Sequence, residues 1–309
     1  MKHIFVLNPA AGSGKSEKKI WPTIVAACKA FQLDYVIHRT VNVGEATLYV
    51  RHICQQYAAE DILRFYVIGG DGTISEVATG LLNVPNAQMA VLPCGSGNDF
   101  CRMIGPEKLL LSLERQIQGT PQPVDAMRVN DRVSTNMVNI GLDGSTAAKQ
   151  VDIKKGTFLR GTASYVAALI PQLIQMKPAQ LTVTLENGTV YSDAYTLCAV
   201  GNGAYCGGGF KSLPKARVDD GLLDVSLVKG VNRREFFRLV GSYAKGTHLE
   251  NPFVLENDLL TYVKCKSLTI ETDGEIPICV DGEIMRSPKV EIEVLPKALQ
   301  LVVPVGCTL

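Results

Sequence analysis

The chain has 309 residues, enough for about two domains of ordinary size with separate hydrophobic cores. Its composition, 46% apolar and 20% charged, is typical of a globular protein and excludes a small disulfide-stabilised scaffold. The 31 basic and 30 acidic residues leave a formal charge of +1, so the overall charge gives no reason to expect a nucleic-acid partner.

The nine cysteines are scattered without a C-x-x-C pair, so they lack the spacing of metal ligands and favour a reducing cytoplasm. The apolar run at the N-terminus is too short for a signal peptide, and no run of 18 apolar residues occurs. We therefore expect a cytoplasmic protein that meets a membrane only transiently and peripherally.

The first part of the chain alternates short apolar runs with amphipathic stretches, which predicts a mainly parallel, doubly wound α/β sheet. The predicted buried strands are residues 4–7, 33–37, 65–68 and 89–92, and the predicted helices are residues 17–31, 45–57 and 74–82.

From Val124 the character changes to β-branched runs joined by turn dipeptides, which predicts a second, mostly antiparallel domain. Asn130-Asp131 and Asn187-Gly188 are hairpin signals. Helical patterns interrupt this region at residues 162–176 and 233–244. The expected domains are residues 1–123, with 297–309 as a candidate completion, and residues 124–296, meeting at a cleft.

A glycine-rich segment, N-P-A-A-G-S-G-K-S, follows the first predicted strand and precedes a helix, a position that favours phosphate binding. The Walker pattern fails because Pro9 holds the place of its first glycine. A dinucleotide fingerprint fails because Glu17 holds the place of the third glycine. A flexible strand-to-helix turn stays open as the alternative.

Two further loops follow predicted strands. In the segment 69–73, three glycines surround Asp71, so the backbone can approach a polyphosphate while the carboxylate supplies an oxygen ligand for magnesium. The segment 93–100 repeats the arrangement after the next strand, and we expect the two loops side by side at the carboxyl edge of the sheet. A simple N-cap role for Asn98 or Asp99 is the alternative.

Taken together, N-P-x-A-G-x-G near the start, G-G-D-G-T-x-x-E-V, P-x-G-S-G-N-D-F and a late D-G-E resemble the diacylglycerol kinase catalytic family, which includes bacterial lipid kinases and sphingosine kinases. G-G-D-G-T alone is shared with NAD kinase and phosphofructokinase-like proteins, and the segment 93–100 favours the lipid kinases. Cys94 and Ser96 stand where Leu and Thr are common in the family, and Ser96 keeps the hydroxyl.

The resemblance implies an N-terminal nucleotide-binding domain of the NAD kinase and phosphofructokinase type, a C-terminal β-sandwich, and ATP and Mg²⁺ bound between them. For Thr40, at the end of the second predicted strand, a strand-end cap is an equal alternative to a nucleotide contact. The residues that the resemblance assigns to the nucleotide and its metal are Asn8, Pro9, Ala10, Ala11, Gly12, Thr40, Gly69, Gly70, Asp71, Gly72, Thr73, Ile74, Ser75, Ser96, Asn98 and Asp99.

The resemblance also bears on a polar turn before a predicted strand at 223–228. On its own, Asp219-Asp220-Gly221 is most often a hairpin turn. The family resemblance implies instead a structural magnesium, held by the Asp220 carboxylate and the backbone carbonyls of Arg217 and Leu222.

D-G-E occurs twice, at 273–275 and at 281–283. The second copy follows an apolar run and matches the family pattern more closely, so the resemblance makes Glu283 the general base, with Asp71 organising the catalytic magnesium. The first copy, which follows polar residues, is predicted to be an exposed hairpin turn.

The predicted activity is transfer of the γ-phosphate of ATP to a lipid hydroxyl. An NAD kinase-like enzyme and an inactive nucleotide-binding regulator are the alternatives; the segment 93–100 argues against the first, and Asp71 with Glu283 against the second. The expected partners are a membrane lipid and, as an open possibility, a second copy of the chain in a homodimer. Which lipid alcohol is phosphorylated stays open.

Overall fold

The computed structural model describes residues 1–14, 16–142 and 178–309. They form two units, Met1–Ala126 with Pro296–Leu309, and Met127–Leu295. The predicted helix 162–176 lies outside the described residues.

Parallel strands build the first unit: β1 (Lys2–Leu7), β2 (Tyr35–Arg39), β3 (Leu63–Gly69) and β4 (Ala87–Pro93). Their order is β4-β3-β1-β2. The chain returns to this unit at its end, where Leu301 pairs in parallel with Met89 of β4. Because successive strands point the same way, their carboxyl ends and the loops that follow them meet at one edge of the sheet.

The helices of the first unit are α1 (Ser16–Ala30), α2 (Glu45–Gln56), α3 (Asp71–Leu81), α4 (Glu107–Leu110) and α5 (Leu113–Ile117), with 3-10 helices at Ala11–Gly14 and Phe100–Met103. Ile20 and Ile24 of α1 pack on Phe5, Tyr66 and Leu92 of the sheet. The central strands are buried because helices cover them, which explains their continuous apolar sequences.

One predicted buried strand is exposed. Strand β2 begins at Tyr35, and the side chains of Tyr35 and Val36 are 39% and 46% exposed. The physical reason is its edge position, since β1 is the one neighbour of β2 in the described sheet.

The strands of the second unit are β5 (Thr120–Val129, which begins in the first unit), β6 (Arg132–Ser134), β7 (Met137–Gly141), β8 (Ala179–Leu185), β9 (Val190–Gly201), β10 (Leu223–Lys229), β11 (Leu260–Cys265), β12 (Ser267–Val280) and β13 (Glu283–Val303, which ends in the first unit). Strands β7 to β12 pair with one another in antiparallel orientation. Both predicted hairpins are confirmed: Val129 pairs with Arg132 across Asn130-Asp131, and Thr184 pairs with Val190 across the Asn187-Gly188 turn. Alternate residues of these strands form one buried apolar core.

Two helices of the second unit pack on this sheet: α6 (Arg233–Lys245) and α7 (Pro252–Glu256). The predicted helix 233–244 is thereby confirmed. A capping box begins it, in which Asn232 accepts from the Glu235 N–H and the Glu235 carboxylate accepts from the Asn232 N–H. Phe236 and Leu239 face the core with Leu197 and Val228. Among the helices that the structure describes, none has the length and apolar character needed to cross a membrane.

The predicted hairpin turn at the first D-G-E is wrong. Residues 273–275 are exposed, but they lie within β12, where the pairing register with β13 shifts between Glu271 and Ile276. The hairpin turn belongs to the second copy: Val280 pairs with Glu283, and Asp281 and Gly282 both have positive φ, 47° and 89°. Two consecutive residues with positive φ are what a tight type I′ turn requires.

Candidate functional site

Three of the predicted nucleotide loops follow β1, β3 and β4, which are neighbours in the sheet. One side-chain bond and one backbone bond connect the first two loops: Asn8 Nδ2 donates to Thr73 Oγ1 at 3.0 Å, and the Asn8 N–H donates to the Ile68 carbonyl at 2.9 Å. The second and third loops are joined by the backbone, where the Cys94 N–H donates to the Gly69 carbonyl at 2.8 Å. The predicted adjacency of the second and third loops is confirmed.

Gly70 and Gly95 are glycines because the two loops touch there. A Cβ built on Gly95 would lie 2.4 Å from the Gly70 Cα, and one on Gly70 would lie 3.0 Å from the Gly95 Cα. Any larger residue at Gly95 would push the loops apart.

The glycines of the second loop have different roles. A Cβ on Gly69 would lie 2.5 Å from Thr73 Oγ1, so this glycine accommodates a packed side chain. A Cβ on Gly72 would meet nothing within 4 Å, so the backbone there faces open space. Gly72 is also in the first turn of α3, where amide N–H groups lack partners within the helix and attract anions.

Two carboxylates converge beside Gly97. A Cβ built on Gly97 would lie 3.0 Å from Asp71 Oδ2 and 3.3 Å from Asp99 Oδ2. The other oxygen of Asp71, Oδ1, accepts the Phe100 N–H at 3.2 Å, which fixes the carboxylate. Two carboxylate oxygens directed at a position that any side chain at 97 would fill are a suitable donor set for magnesium. Sequence reasoning did not single out Gly97.

Acidic and basic side chains both lie close to the third loop. Burial, and then the negative charges of Asp71 and Asp99, raise the pKa of the nearby Cys101 thiol well above its ordinary value. Arg102 is 3.4 Å from Asp99 through its Nε and donates to the Gly97 carbonyl at 3.3 Å, so one cation is already present at the rim. Cys101 and Arg102 also line a cavity of about 380 Å³ beside this loop.

The third loop is braced by its own asparagine. Asn98 has a positive φ of 54°, and its side chain accepts the Gly95 N–H at 2.9 Å and donates to the Gly95 carbonyl at 3.2 Å. Ser96, at the tip, is exposed. Asp99 holds the N-cap position of a 3-10 helix but makes no side-chain cap bond, which weakens the alternative that it is only a helix cap.

The first loop folds back on Asn8. Its Oδ1 accepts the Ala10 N–H at 3.0 Å, and its carbonyl accepts the Ala11 N–H at 3.1 Å. Pro9 is half-buried, and Gly12 has a positive φ of 57°. Thr40 lies beside this loop, because its N–H donates to the Leu7 carbonyl at 2.9 Å.

Two predicted nucleotide contacts lie on α3. The Ile74 side chain is 1% exposed in the core and its N–H donates to the Gly70 carbonyl, so its contribution to the site is structural. Ser75 is half-buried one residue further along the helix, and its carbonyl accepts the Thr79 hydroxyl at 2.7 Å.

Glu283 stands at the start of β13 in the second unit. Its side chain is 54% exposed, and its Oε2 is 3.6 Å from Arg132 Nη1. The turn before it is anchored by Asp281, whose carboxylate accepts the N–H groups of Thr135, Asn136 and Met137 at 2.9 to 3.2 Å. Asp281 therefore fixes the backbone from which Glu283 projects. Sequence reasoning missed this role, since the partners lie about 145 residues earlier.

The turn at Asp220 is the predicted site of a structural magnesium. Asp220 Oδ1 accepts the Leu222 N–H at 3.1 Å, while Oδ2 lies 2.6 Å from Lys264 Nζ. The Arg217 side chain bonds Asp219 at 3.1 Å. No sequence motif pointed to Lys264, and the magnesium expected at this turn stays a prediction.

Comparison with known proteins identifies the family. Residues 2–129 match the diacylglycerol kinase catalytic domain, and residues 136–303 match the YegS C-terminal NAD kinase beta sandwich-like domain. A Shewanella frigidimarina protein named "Probable lipid kinase YegS-like" is 30% identical over 254 residues, covering 81% of this chain and 79% of its own length. A protein of Staphylococcus carnosus named "Diacylglycerol kinase" is 27% identical over 280 residues, covering 90% and 87%.

A solved structure from Bacillus anthracis str. Sterne, named as a candidate diacylglycerol kinase, aligns with a TM-score of 0.75 at 28% identity, covering 99% of this chain and 96% of its own. The matches together span both units. The chain therefore belongs to the diacylglycerol kinase catalytic family and has the two-domain architecture of a catalytic N-terminal domain and a β sandwich-like C-terminal domain.

Proposed function

We propose that the chain is an ATP-dependent lipid kinase that transfers the γ-phosphate to the hydroxyl of a membrane lipid. It is a phosphotransferase with an alcohol acceptor. The observation that carries this proposal is the convergence of Asp71, Asp99 and the glycine loops at one sheet edge, in a chain of this family. Nucleotide binding alone would need the loops but no paired carboxylates.

Phosphoryl transfer asks a protein mainly for positioning and charge neutralisation. The open backbone at Gly72 and the first turn of α3 would receive phosphate oxygens, and the loop from Asn8 to Gly12 would contact the phosphates from the other side. Asp71, with Asp99, would hold magnesium, which neutralises charge on the triphosphate. Thr40 and Ser96 would contribute hydroxyl groups at the rim.

Glu283 would act as the general base. Its carboxylate takes the proton of the lipid hydroxyl as the hydroxyl oxygen bonds to the γ-phosphorus and the bond to the β-phosphate oxygen breaks, releasing ADP. Support comes from the backbone: the type I′ turn and the Asp281 bonds fix the position from which the Glu283 side chain extends. Arg132 Nη1 lies 3.6 Å from Glu283 Oε2, so a positive charge stands beside the proposed base.

The proposed membrane contact is through a basic and aromatic surface on α6, formed by Arg234, Phe237 and Arg238. Phe237 is 66% exposed although it is a large apolar side chain. The Arg238 guanidinium lies 5.3 Å from the ring centre of Phe253 on α7, which holds it at the surface. Arginines attract anionic lipid headgroups, and an exposed aromatic ring can enter the bilayer interface.

Several broader features belong to the same proposal. The parallel order of β4, β3, β1 and β2 supports a doubly wound domain of the NAD kinase and phosphofructokinase type. The proposed domain boundaries are residues 1–123 with 297–309, and 124–296. Six of the nine cysteines are buried free thiols, which supports a cytoplasmic setting. A homodimer stays a prediction.

A lipid panel tests the activity. Purified protein is mixed with ATP, magnesium and vesicles that contain diacylglycerol, a sphingoid base or phosphatidylglycerol, and both ADP and phosphorylated lipid are measured. We expect lipid-dependent ADP formation matched by one phosphorylated lipid class. Phosphorylation of NAD would favour the NAD kinase alternative, and nucleotide binding without ADP formation would favour an inactive regulator.

A further inference from the structure

Lys264 on β11 carries an ammonium group that lies against the Asp220 turn. Its Nζ is 2.6 Å from Asp220 Oδ2 and 3.1 Å from Asp224 Oδ2, and it donates to the Lys215 carbonyl at 3.2 Å. The ammonium group therefore hydrogen-bonds to Asp220 and to the Lys215 carbonyl and forms an ion pair with Asp224.

The position of this lysine is set by the β-ladder. Lys264 and Asp224 are directly opposite each other on the antiparallel strands β11 and β10. The Asp224 side chain is 1% exposed, and its Oδ1 accepts the Tyr262 hydroxyl at 2.6 Å. A buried carboxylate requires a nearby cation, and Lys264 supplies it.

The charges of the cluster are consistent with this pairing. Burial lowers the pKa of Lys264, but its bonds to Asp220 and Asp224 raise it by more, so the amine is charged at neutral pH. Burial raises the pKa of Asp224, and the bonds from Tyr262 and Lys264 oppose that increase.

Magnesium at the turn would compete with this ammonium. The family resemblance implies that the ion would bind the Asp220 carboxylate, yet one oxygen of that carboxylate faces Lys264 and the other accepts the Leu222 N–H. Magnesium bonds oxygen at about 2.0–2.1 Å and would stand close to a fixed positive charge. Each oxygen of Asp220 thus already has a contact, and two cations on one carboxylate oxygen repel each other, whereas Asp99 pairs with Arg102 through Oδ1 and directs Oδ2 toward Gly97.

We propose that the Lys264 ammonium is the permanent cation of the Asp220 turn and that this chain binds no structural magnesium there. The structure of the turn then does not depend on the magnesium concentration. This inference does not depend on the proposed lipid kinase activity, and its test uses thermal unfolding and metal binding.

The first experiment measures melting temperatures without nucleotide, in EDTA and in excess magnesium. Lys264→Met should melt about 5 °C or more below the wild type in EDTA, because Asp224 loses its cation. Magnesium should raise the melting temperature of Lys264→Met more than that of the wild type, since the vacated position lies between two carboxylates. Lys264→Arg keeps a cation and should show a smaller loss without the magnesium response.

Lys229→Met is the matched control. Lys229 lies on the adjacent strand β10 and also makes a 2.6 Å ion pair, but its partner Asp258 is 87% exposed. We expect little change in its melting temperature, since exposed pairs contribute little.

A second experiment covers the case in which Lys264→Met fails to fold. Binding of Mn²⁺ to the wild type and to Asp220→Asn is followed by electron paramagnetic resonance, with Asp220→Asn expected to remove no site. Loss of one Mn²⁺ site in Asp220→Asn would overturn the proposal. So would a Lys264→Met variant that melts with the wild type or gains no additional response to magnesium.

Discussion

Asp71 has two contacts that a single substitution can separate. Its Oδ1 accepts the Phe100 N–H, whereas its Oδ2 is directed toward the space beside Gly97. Asp71→Asn retains an oxygen for the backbone bond but removes the charge. We therefore expect an unchanged melting temperature and loss of most magnesium-dependent turnover, measured as ADP formation over a magnesium titration. Turnover near that of the wild type would show that Asp71 does not organise the metal.

The two D-G-E copies give a second prediction at the residue scale. Glu283→Gln should lower turnover by roughly 10²- to 10⁴-fold, the usual contribution of a positioned base, with little change in nucleotide affinity. Glu275→Gln is the matched control and should be nearly silent, because Glu275 is an exposed residue at the register shift of β12.

The measurement for this pair is lipid-dependent ADP formation at saturating ATP, with nucleotide affinity determined by calorimetry. An inactive Glu275→Gln would mean that the motif is assigned to the wrong copy. If both variants keep full turnover, the base lies elsewhere.

Residue-level prediction succeeded where the relevant partner is signalled by the local sequence. Glycine-rich segments after two apolar runs were enough to expect adjacent loops, and Gly70 and Gly95 do touch. Lys264 could not be predicted in the same way, because it carries no motif and meets Asp220 across a separation of 44 residues. The Asp281 anchor is equally non-local.

At the scale of secondary structure, α6 separates core-facing from solvent-facing positions. Phe236 and Leu239 are buried, whereas Phe237 is exposed between arginines. If this surface meets a bilayer, Phe237→Ala should weaken binding to anionic vesicles about tenfold or more, the effect of losing burial of one large apolar side chain. Cosedimentation with vesicles measures it.

Leu48→Ala on α2 is the control, since Leu48 is an equally exposed apolar side chain, at 68%, on the other unit. We expect its vesicle binding to match that of the wild type. If Leu48→Ala weakens binding and Phe237→Ala does not, the membrane surface has been placed on the wrong helix.

Element prediction failed where strand order matters. The apolar sequence of residues 33–37 indicated a buried strand, but whether a strand lies in the centre or at the edge of a sheet depends on tertiary pairing. The first D-G-E has the composition of a turn. Because β12 pairs with β13 on both sides of it, residues 273–275 instead form an irregularity within the strand.

At the scale of the whole molecule, the first unit is completed by the end of the chain. Leu301 is fully buried and pairs with Met89 of β4. Leu301→Ala should therefore lower the free energy of unfolding by about 2–5 kcal/mol, measured by urea denaturation. Val305→Ala, at a position 45% exposed, should change it by less than about 1 kcal/mol. Equal effects of the two substitutions would contradict a structural role for the returning strand.

The return of the chain also has a consequence for biosynthesis. During translation, residues 1–126 emerge from the ribosome long before residues 296–309, although both segments belong to one unit. The open edge of β4 must therefore wait, uncovered, while the second unit is translated. A chain that terminates early would carry the nucleotide loops but not the strand that closes their sheet. The unpaired edge of such a fragment would make it a substrate for chaperones and proteases.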